Sequence, residues 1–267
     1  MPSLTINGTT LHYESTGTGD APILFLHGLL YSGEMYRAQV KAFSPRHRCV
    51  TLDFRGQGRS AVARAGYDME TLTRDVIAVI DALDLGAVHL AGLSMGGFVA
   101  MRVAARRPKL VRSLILLETS AEPEPREKIG RYRLLGLIGR YLGFGLVAGS
   151  VMPIMFGKAF LRDRERAAER AEWRARIVAN DRLGVPRALE GVVTRLGVES
   201  ELANVTAPTL VIVGDDDVAT PVAKARRIHE LIAGSTLVVL PRAGHSSTIE
   251  EPAAVNAAIA SFLAVAG

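Results

Sequence analysis

The chain has 267 residues, 48% of them hydrophobic, enough to bury one sizeable core. Its formal net charge of +5 comes from Arg and Lys spread along the chain, without a basic motif interleaved with aromatic residues, so we expect no nucleic-acid partner. The single cysteine, Cys49, cannot close an intramolecular disulfide, and Met1 to Ser15 show no secretory signal, so we expect a cytoplasmic location.

Short β-type runs alternate with helix-type stretches through the first half of the chain. This alternation is typical of a mostly parallel sheet with helices on both faces. The segment from Glu70 to Leu85 has the apolar spacing of a helix with one buried face. A hairpin turning at Asn7-Gly8 is predicted to lead the sheet. The predicted strands are Leu4 to Ile6, Leu11 to Glu14, Ile23 to Leu26, Cys49 to Asp53, Val88 to Ala91 and Leu114 to Leu117.

The composition changes at Glu122-Pro123-Glu124-Pro125 and changes back near Pro208. We therefore predict an α/β core over residues 1–121 and 208–267, with a helical cap, residues 122–207, inserted between its halves. Within the cap, 134–156 is apolar and 162–177 is charge-rich and helical in pattern. Although 134–156 is long enough to raise the question of a membrane span, Arg140, several glycines and Pro153 argue against one. Strands are predicted to resume at Thr209 to Val213 and Ser235 to Leu240.

The sequence Gly92-Leu93-Ser94-Met95-Gly96 follows the predicted strand Val88 to Ala91 and opens a helix. Glycines on both sides of Ser94 permit a sharp strand-to-helix turn that projects the hydroxyl, which suits a nucleophile. A glycine-rich turn with Ser94 as a helix N-cap is the other interpretation. The neighbouring motifs favour the nucleophile.

Three further segments follow strands and supply the partners that a nucleophilic serine needs. His27-Gly28-Leu29 offers the backbone N–H of Leu29, which with that of Met95 would form an oxyanion hole. Asp217 lies in the loop after Thr209 to Val213, and His245 lies in the loop after Ser235 to Leu240. Ser94, Asp217 and His245 thus occur in the chain order nucleophile, acid, base. Glu118, which ends the strand Leu114 to Leu117, is the alternative acid.

Two longer motifs connect these residues with a known family. The loop from Asp53 to Ser60 is similar to D-x-R-G-x-G-x-S, and Gly214 to Pro221 is similar to G-x-x-D-x-x-x-P. With the Ser94 turn, the chain resembles the α/β-hydrolase fold family over essentially its whole length. It is nearest in likeness to the group of 3-oxoadipate enol-lactonases and haloperoxidase-like esterases. That resemblance implies a cofactor-free esterase or lactonase.

Departures from other branches of the family narrow the activity. Leu29 replaces the Trp of the haloperoxidase-like members, and Ser94 replaces the Asp of epoxide hydrolases and haloalkane dehalogenases. Ser246 follows His245 at the position where carbon-carbon bond hydrolases usually have Trp. Hydrolysis of a carbon-carbon bond is therefore kept as an alternative activity. A slow-turnover, ligand-sensing receptor of the same fold is the other alternative.

No spacing of histidine, cysteine or carboxylate residues indicates a metal site, and no phosphate-loop or dinucleotide motif is present. The predicted hydrolase therefore needs no cofactor. The expected partner is a small ester or lactone, apolar or aromatic in character, while the sequence does not specify an oligomeric state. Cap residues that could contact such a substrate are Tyr132, Leu135, Ile138, Tyr141, Phe144, Met152, Met155, Phe156 and Trp173.

Overall fold

The computed structural model describes residues 2–266, which form an eight-stranded sheet in the order β1-β2-β4-β3-β5-β6-β7-β8. Antiparallel pairing is confined to β1 with β2 and β2 with β4, and the remaining neighbours are parallel. The predicted fold class, a mostly parallel sheet with helices on both faces, is confirmed. The strands are β1 Ser3–Ile6, β2 Thr9–Thr16, β3 Ile23–Leu26, β4 Cys49–Leu52, β5 Val88–Leu93, β6 Val111–Leu117, β7 Thr209–Gly214 and β8 Thr236–Leu240.

The central strands are continuous apolar runs because helices cover both of their faces. All residues of β3, β4 and β5 are buried. One face packs against α2, α3 and α9, and the other against α1, α11 and the helices between β6 and β7. Cys49 lies in β4 with 1% of its surface exposed, as the apolar run around it predicts. The α-helices outside the segment between β6 and β7 are α1 Arg37–Phe43, α2 Met69–Ala82, α3 Met95–Arg106, α9 Val222–Leu231, α10 Ser247–Glu250 and α11 Pro252–Ala266.

Five helices lie between β6 and β7: α4 Arg126–Leu142, α5 Ala148–Met155, α6 Lys158–Arg162, α7 Ala167–Val178 and α8 Gly184–Val193. The apolar stretch 134–156 is divided by Gly143, whose φ of +96° ends α4. Within residues 2–266, no helix is both long enough and apolar enough to cross a membrane.

The helical pattern predicted over 162–177 is confirmed from residue 167 onwards, but the helix does not extend over the whole stretch, because α6 ends at Arg162 and α7 begins only at Ala167. Asp163 has an extended backbone, and its carboxylate accepts a hydrogen bond from the N–H of Glu165 at 2.9 Å. An aspartate side chain that bonds the backbone two residues ahead favours a turn over a continuing helix.

Candidate active site

Ser94 occupies the turn between β5 and α3 with a backbone φ of +51°. A non-glycine residue in this region is strained, and the surrounding structure must hold it there. The N–H of Ser94 donates to the carbonyl of Leu117 at 2.9 Å, and Thr119 Oγ1 donates to the carbonyl of Ser94 at 2.9 Å. Both contacts attach the turn to the end of β6.

The two glycines of the motif are required by close backbone contacts. A methyl group on Gly96 would lie 2.0 Å from the carbonyl oxygen of Leu26, and one on Gly92 would lie 2.4 Å from the carbonyl oxygen of Gly96. No side chain fits at such distances. The glycine pattern around Ser94 is therefore a steric requirement of a helix that begins directly against β3.

His245 and Asp217 lie together although 28 residues separate them. The Nδ1 atom of His245 is 2.9 Å from Asp217 Oδ2, and both side chains are buried. This contact leaves Nε2 of His245 as the nitrogen available to a nucleophile. Ser94 and His245 line the same cavity. Within residues 2–266 no hydrogen bond joins their side chains, and contacts of this kind often tighten only when substrate binds.

Asp217 is held by its own loop. Its Oδ1 accepts hydrogen bonds from the N–H groups of Ala219 at 2.8 Å and Thr220 at 3.0 Å, and its Oδ2 accepts from the Thr220 hydroxyl at 2.8 Å. Burial by itself would raise the pKa of Asp217, but the charge of His245 and these hydrogen bonds hold it below its ordinary value. The carboxylate is thus kept ionised beside the imidazole.

Glu118, the alternative acid of the sequence analysis, is fully buried at the end of β6 with a φ of +40°. Its carboxyl oxygens make no hydrogen bond of normal geometry within residues 2–266, whether to His245 or to any other residue. Burial, reinforced by the charges of Asp217 and Glu250, raises the pKa of Glu118 well above its ordinary value. Burial therefore favours the protonated, neutral form of this side chain, which lies next to the loop that carries Asp217.

His27 shapes the loop after β3. Its Nε2 accepts the N–H of Phe54 at 2.9 Å, so Nδ1 carries the proton and donates to the carbonyl of Gly28 at 2.7 Å. Burial lowers the pKa of His27, which favours this neutral form. A methyl group on Gly28 would lie 3.5 Å from Cβ of Ser94, so this loop passes directly beside the serine.

The N–H groups of Leu29 and Met95, predicted to form an oxyanion hole, are not used as donors within the described residues. Met95 is the first residue of α3, where N–H groups lack acceptors in their own helix and favour negative charge. Gln57 holds the loop that carries Leu29, because its Oε1 accepts the N–H of the next residue, Leu30, at 3.0 Å.

The cavity beside Ser94 has a volume of about 110 Å³ and is lined mainly by apolar side chains. Four of the nine predicted cap contacts line it: Tyr132, Leu135, Phe144 and Met155. Tyr141 is 66% exposed, and the other four, Ile138, Met152, Phe156 and Trp173, pack into the protein core. The walls also include Leu29, predicted as an oxyanion-hole donor, and Phe98, Glu124 and Thr220, which the sequence did not connect with a substrate.

Glu250 is a residue that the sequence analysis missed. Its Oε2 accepts the N–H groups of Gly157 at 2.8 Å and Gly244 at 3.1 Å, and its Oε1 accepts that of Ser246 at 3.1 Å. This one buried carboxyl group thus joins the loop that carries His245 to the segment before α6. An isolated glutamate in a sequence gives no signal of such a role, because glutamates are almost always exposed.

Comparison with known proteins identifies the family of the chain. A family model described as "alpha/beta hydrolase fold" matches residues 21–252. RutD of Variovorax paradoxus (strain S110), a protein named for carbamate hydrolysis, is 30% identical over 95% of this chain and 96% of its own length.

Two solved structures are similar throughout. A thermophilic esterase from Thermogutta terrifontis superimposes with a TM-score of 0.90 at 30% identity, covering 99% of this chain and 97% of its own. The enol-lactonase from Burkholderia xenovorans LB400 superimposes with a TM-score of 0.91 at 29% identity, covering 98% of this chain and all of its own. The chain belongs to the α/β-hydrolase fold family, and these relatives are named as hydrolases.

Proposed function

We propose that this member of the α/β-hydrolase fold family is a serine hydrolase that cleaves a carboxylic ester or lactone through an acyl-enzyme on Ser94. The observation that carries the proposal is the strained turn that presents Ser94 to a cavity shared with His245, whose far nitrogen is paired with Asp217. The likeness to an esterase and an enol-lactonase supports the same class of bond.

In the proposed mechanism, Ser94 Oγ attacks the substrate carbonyl carbon while His245 Nε2 takes the hydroxyl proton. The N–H groups of Leu29 and Met95 stabilise the negative oxygen of the tetrahedral intermediate. The imidazolium then gives its proton to the departing alkoxide. A water molecule attacks the acyl-enzyme with His245 again as base, releasing the acid and restoring the serine. Asp217 fixes the ring and stabilises its positive form, and no step requires a cofactor.

In this proposal, residues 122–207 act as a cap that selects the substrate. The lining of the cavity supports that role, because residues 122–207 supply 12 of its 19 residues, nine of them on helices α4, α5 and α8. The lone thiol of Cys49 is compatible with a cytoplasmic location.

A fluorophosphonate probe tests the nucleophile directly. We expect one adduct per chain, mapped by mass spectrometry to the peptide that contains Ser94, together with steady hydrolysis of a p-nitrophenyl ester. Ser94→Ala should lose both, whereas Ser200→Ala, which changes an exposed serine, should lose neither. Folded protein without an adduct at Ser94 would refute the mechanism. A single slow burst without further turnover would instead identify a ligand sensor.

A further inference from the structure

Glu124 places a carboxylate in the wall of the cavity that contains Ser94. Among the described residues that line this cavity, it is the only acidic or basic side chain besides His245. Its Oε2 accepts a hydrogen bond from Arg195 Nη1 at 2.7 Å, and the two side chains are 9% and 2% exposed. A substrate that enters the cavity therefore meets a negatively charged group.

The guanidinium of Arg195 does not line the cavity. Its guanidinium lies over the ring of Phe98, 3.9 Å from the ring centre, and Nη1 also donates to the carbonyl of Val192 at 2.8 Å. Phe98, Val192 and Glu124 line the cavity, whereas Arg195 does not. The ion pair is thus oriented with its cation in the wall and its carboxylate towards the lumen.

The other charged or titratable groups near Glu124 supply no counter-charge for an anion. Lys128 Nζ donates to the carbonyls of Val218 and Ala219 on the acid loop. Tyr132 lies in the same wall, and burial, with a contribution from Glu124, raises its pKa to about 12, so the phenol is neutral. Arg131 is exposed to solvent.

We propose that Glu124 restricts this enzyme to esters or lactones whose acyl part is uncharged, and excludes acyl groups that carry a carboxylate. The inference rests on the proposed hydrolase function. After the alcohol departs, the acyl group is the part that stays bound to Ser94 in the cavity. An acyl carboxylate would lose its hydration among apolar side chains and be repelled by Glu124.

Two p-nitrophenyl esters of matched shape test this selectivity: the monoester of adipate and the 6-methylheptanoate, whose branched end replaces the carboxylate. We expect the wild type to hydrolyse the neutral ester with a kcat/KM on the order of 10² higher, the effect of placing like charges together. Glu124→Gln should reduce that ratio at least about tenfold, because it removes the repulsion and leaves the Arg195 charge unpaired.

The control variant is Glu122→Gln, which removes a carboxylate paired with Lys224 outside the cavity and should keep the wild-type ratio. If Glu124→Gln fails to fold with Arg195 unpaired, the double variant Glu124→Gln/Arg195→Met removes both charges and should still lower the ratio. Comparable kcat/KM values for the two esters in the wild type would overturn this inference alone. If neither ester is hydrolysed and no Ser94 adduct forms, the proposed function fails with it.

Discussion

Replacing Asp217 by Asn would separate the two candidate acids, and the surrounding hydrogen bonds determine how the new amide is oriented. The Oδ1 position accepts two backbone N–H groups, from Ala219 and Thr220. The carbonyl oxygen of Asn will therefore take that position, because an NH₂ group there would leave both N–H donors without an acceptor. The NH₂ group then faces Nδ1 of His245 and donates to it.

A donor at this position places the imidazole proton on the wrong nitrogen. Nδ1 must accept, so Nε2 carries the proton and cannot take one from Ser94. By analogy with the same change in a known Ser-His-Asp enzyme, kcat should fall on the order of 10³–10⁴. The fold should persist, since both backbone hydrogen bonds to the side chain are retained.

Steady-state hydrolysis of a p-nitrophenyl ester, with circular dichroism as the check on folding, measures the effect. The matched control is Glu118→Gln, which replaces a buried carboxyl group that makes no hydrogen bond to His245. Because burial raises the pKa of Glu118 and favours its neutral form, its amide should change kcat far less. If folded Glu118→Gln loses turnover while Asp217→Asn retains most of it, the acid belongs to the loop after β6 and the assignment is wrong.

Three further predictions concern stability and reactivity. Gly96→Ala should lower the free energy of unfolding by about 3 kcal/mol, because its methyl group overlaps the carbonyl of Leu26. The control is Gly130→Ala, whose methyl group meets open space and should not destabilise the protein. Urea unfolding compares the two variants, and equal stability would contradict the steric argument. Burial raises the pKa of Glu250 from 4.5 to about 7, so the folded state binds the proton more tightly than the unfolded state does. The free energy of unfolding of the wild type, relative to that of Glu250→Gln, should therefore fall by about 3 kcal/mol as pH rises from about 4.5 to 7. Denaturation of both proteins at pH 5 and pH 8 measures this change, and a stability difference between them that is independent of pH would refute the prediction. Burial also raises the pKa of the Cys49 thiol to about 12, so iodoacetamide should label it only after unfolding, as followed by mass, and rapid labelling of folded protein would show that the thiol is accessible.

Features of the fold that depend on neighbouring residues could be predicted from the sequence. The central strands were predictable because buried parallel strands are continuous apolar runs. The turn at Ser94 was predictable because only glycine fits at position 96, against the Leu26 carbonyl, and at position 92, against the Gly96 carbonyl. Each of these features depends on residues within a few positions of one another. The break between α6 and α7 was missed because Asp163 ends the helix through a turn within a charge-rich pattern that otherwise continues.

The sequence by itself determined the family, the strand-turn motifs and the short list of chemically competent side chains. The tertiary structure decided which of those side chains meet. Asp217 and Glu118 follow the neighbouring parallel strands β7 and β6, so both residues lie at the same edge of the sheet. Only the packed loops place Asp217 against Nδ1 of His245. Glu124 and Arg195 are 71 residues apart, and Glu250 and Gly157 are 93 apart. No local pattern encodes such pairs, because the helices between β6 and β7 bring them together only when they pack on the sheet.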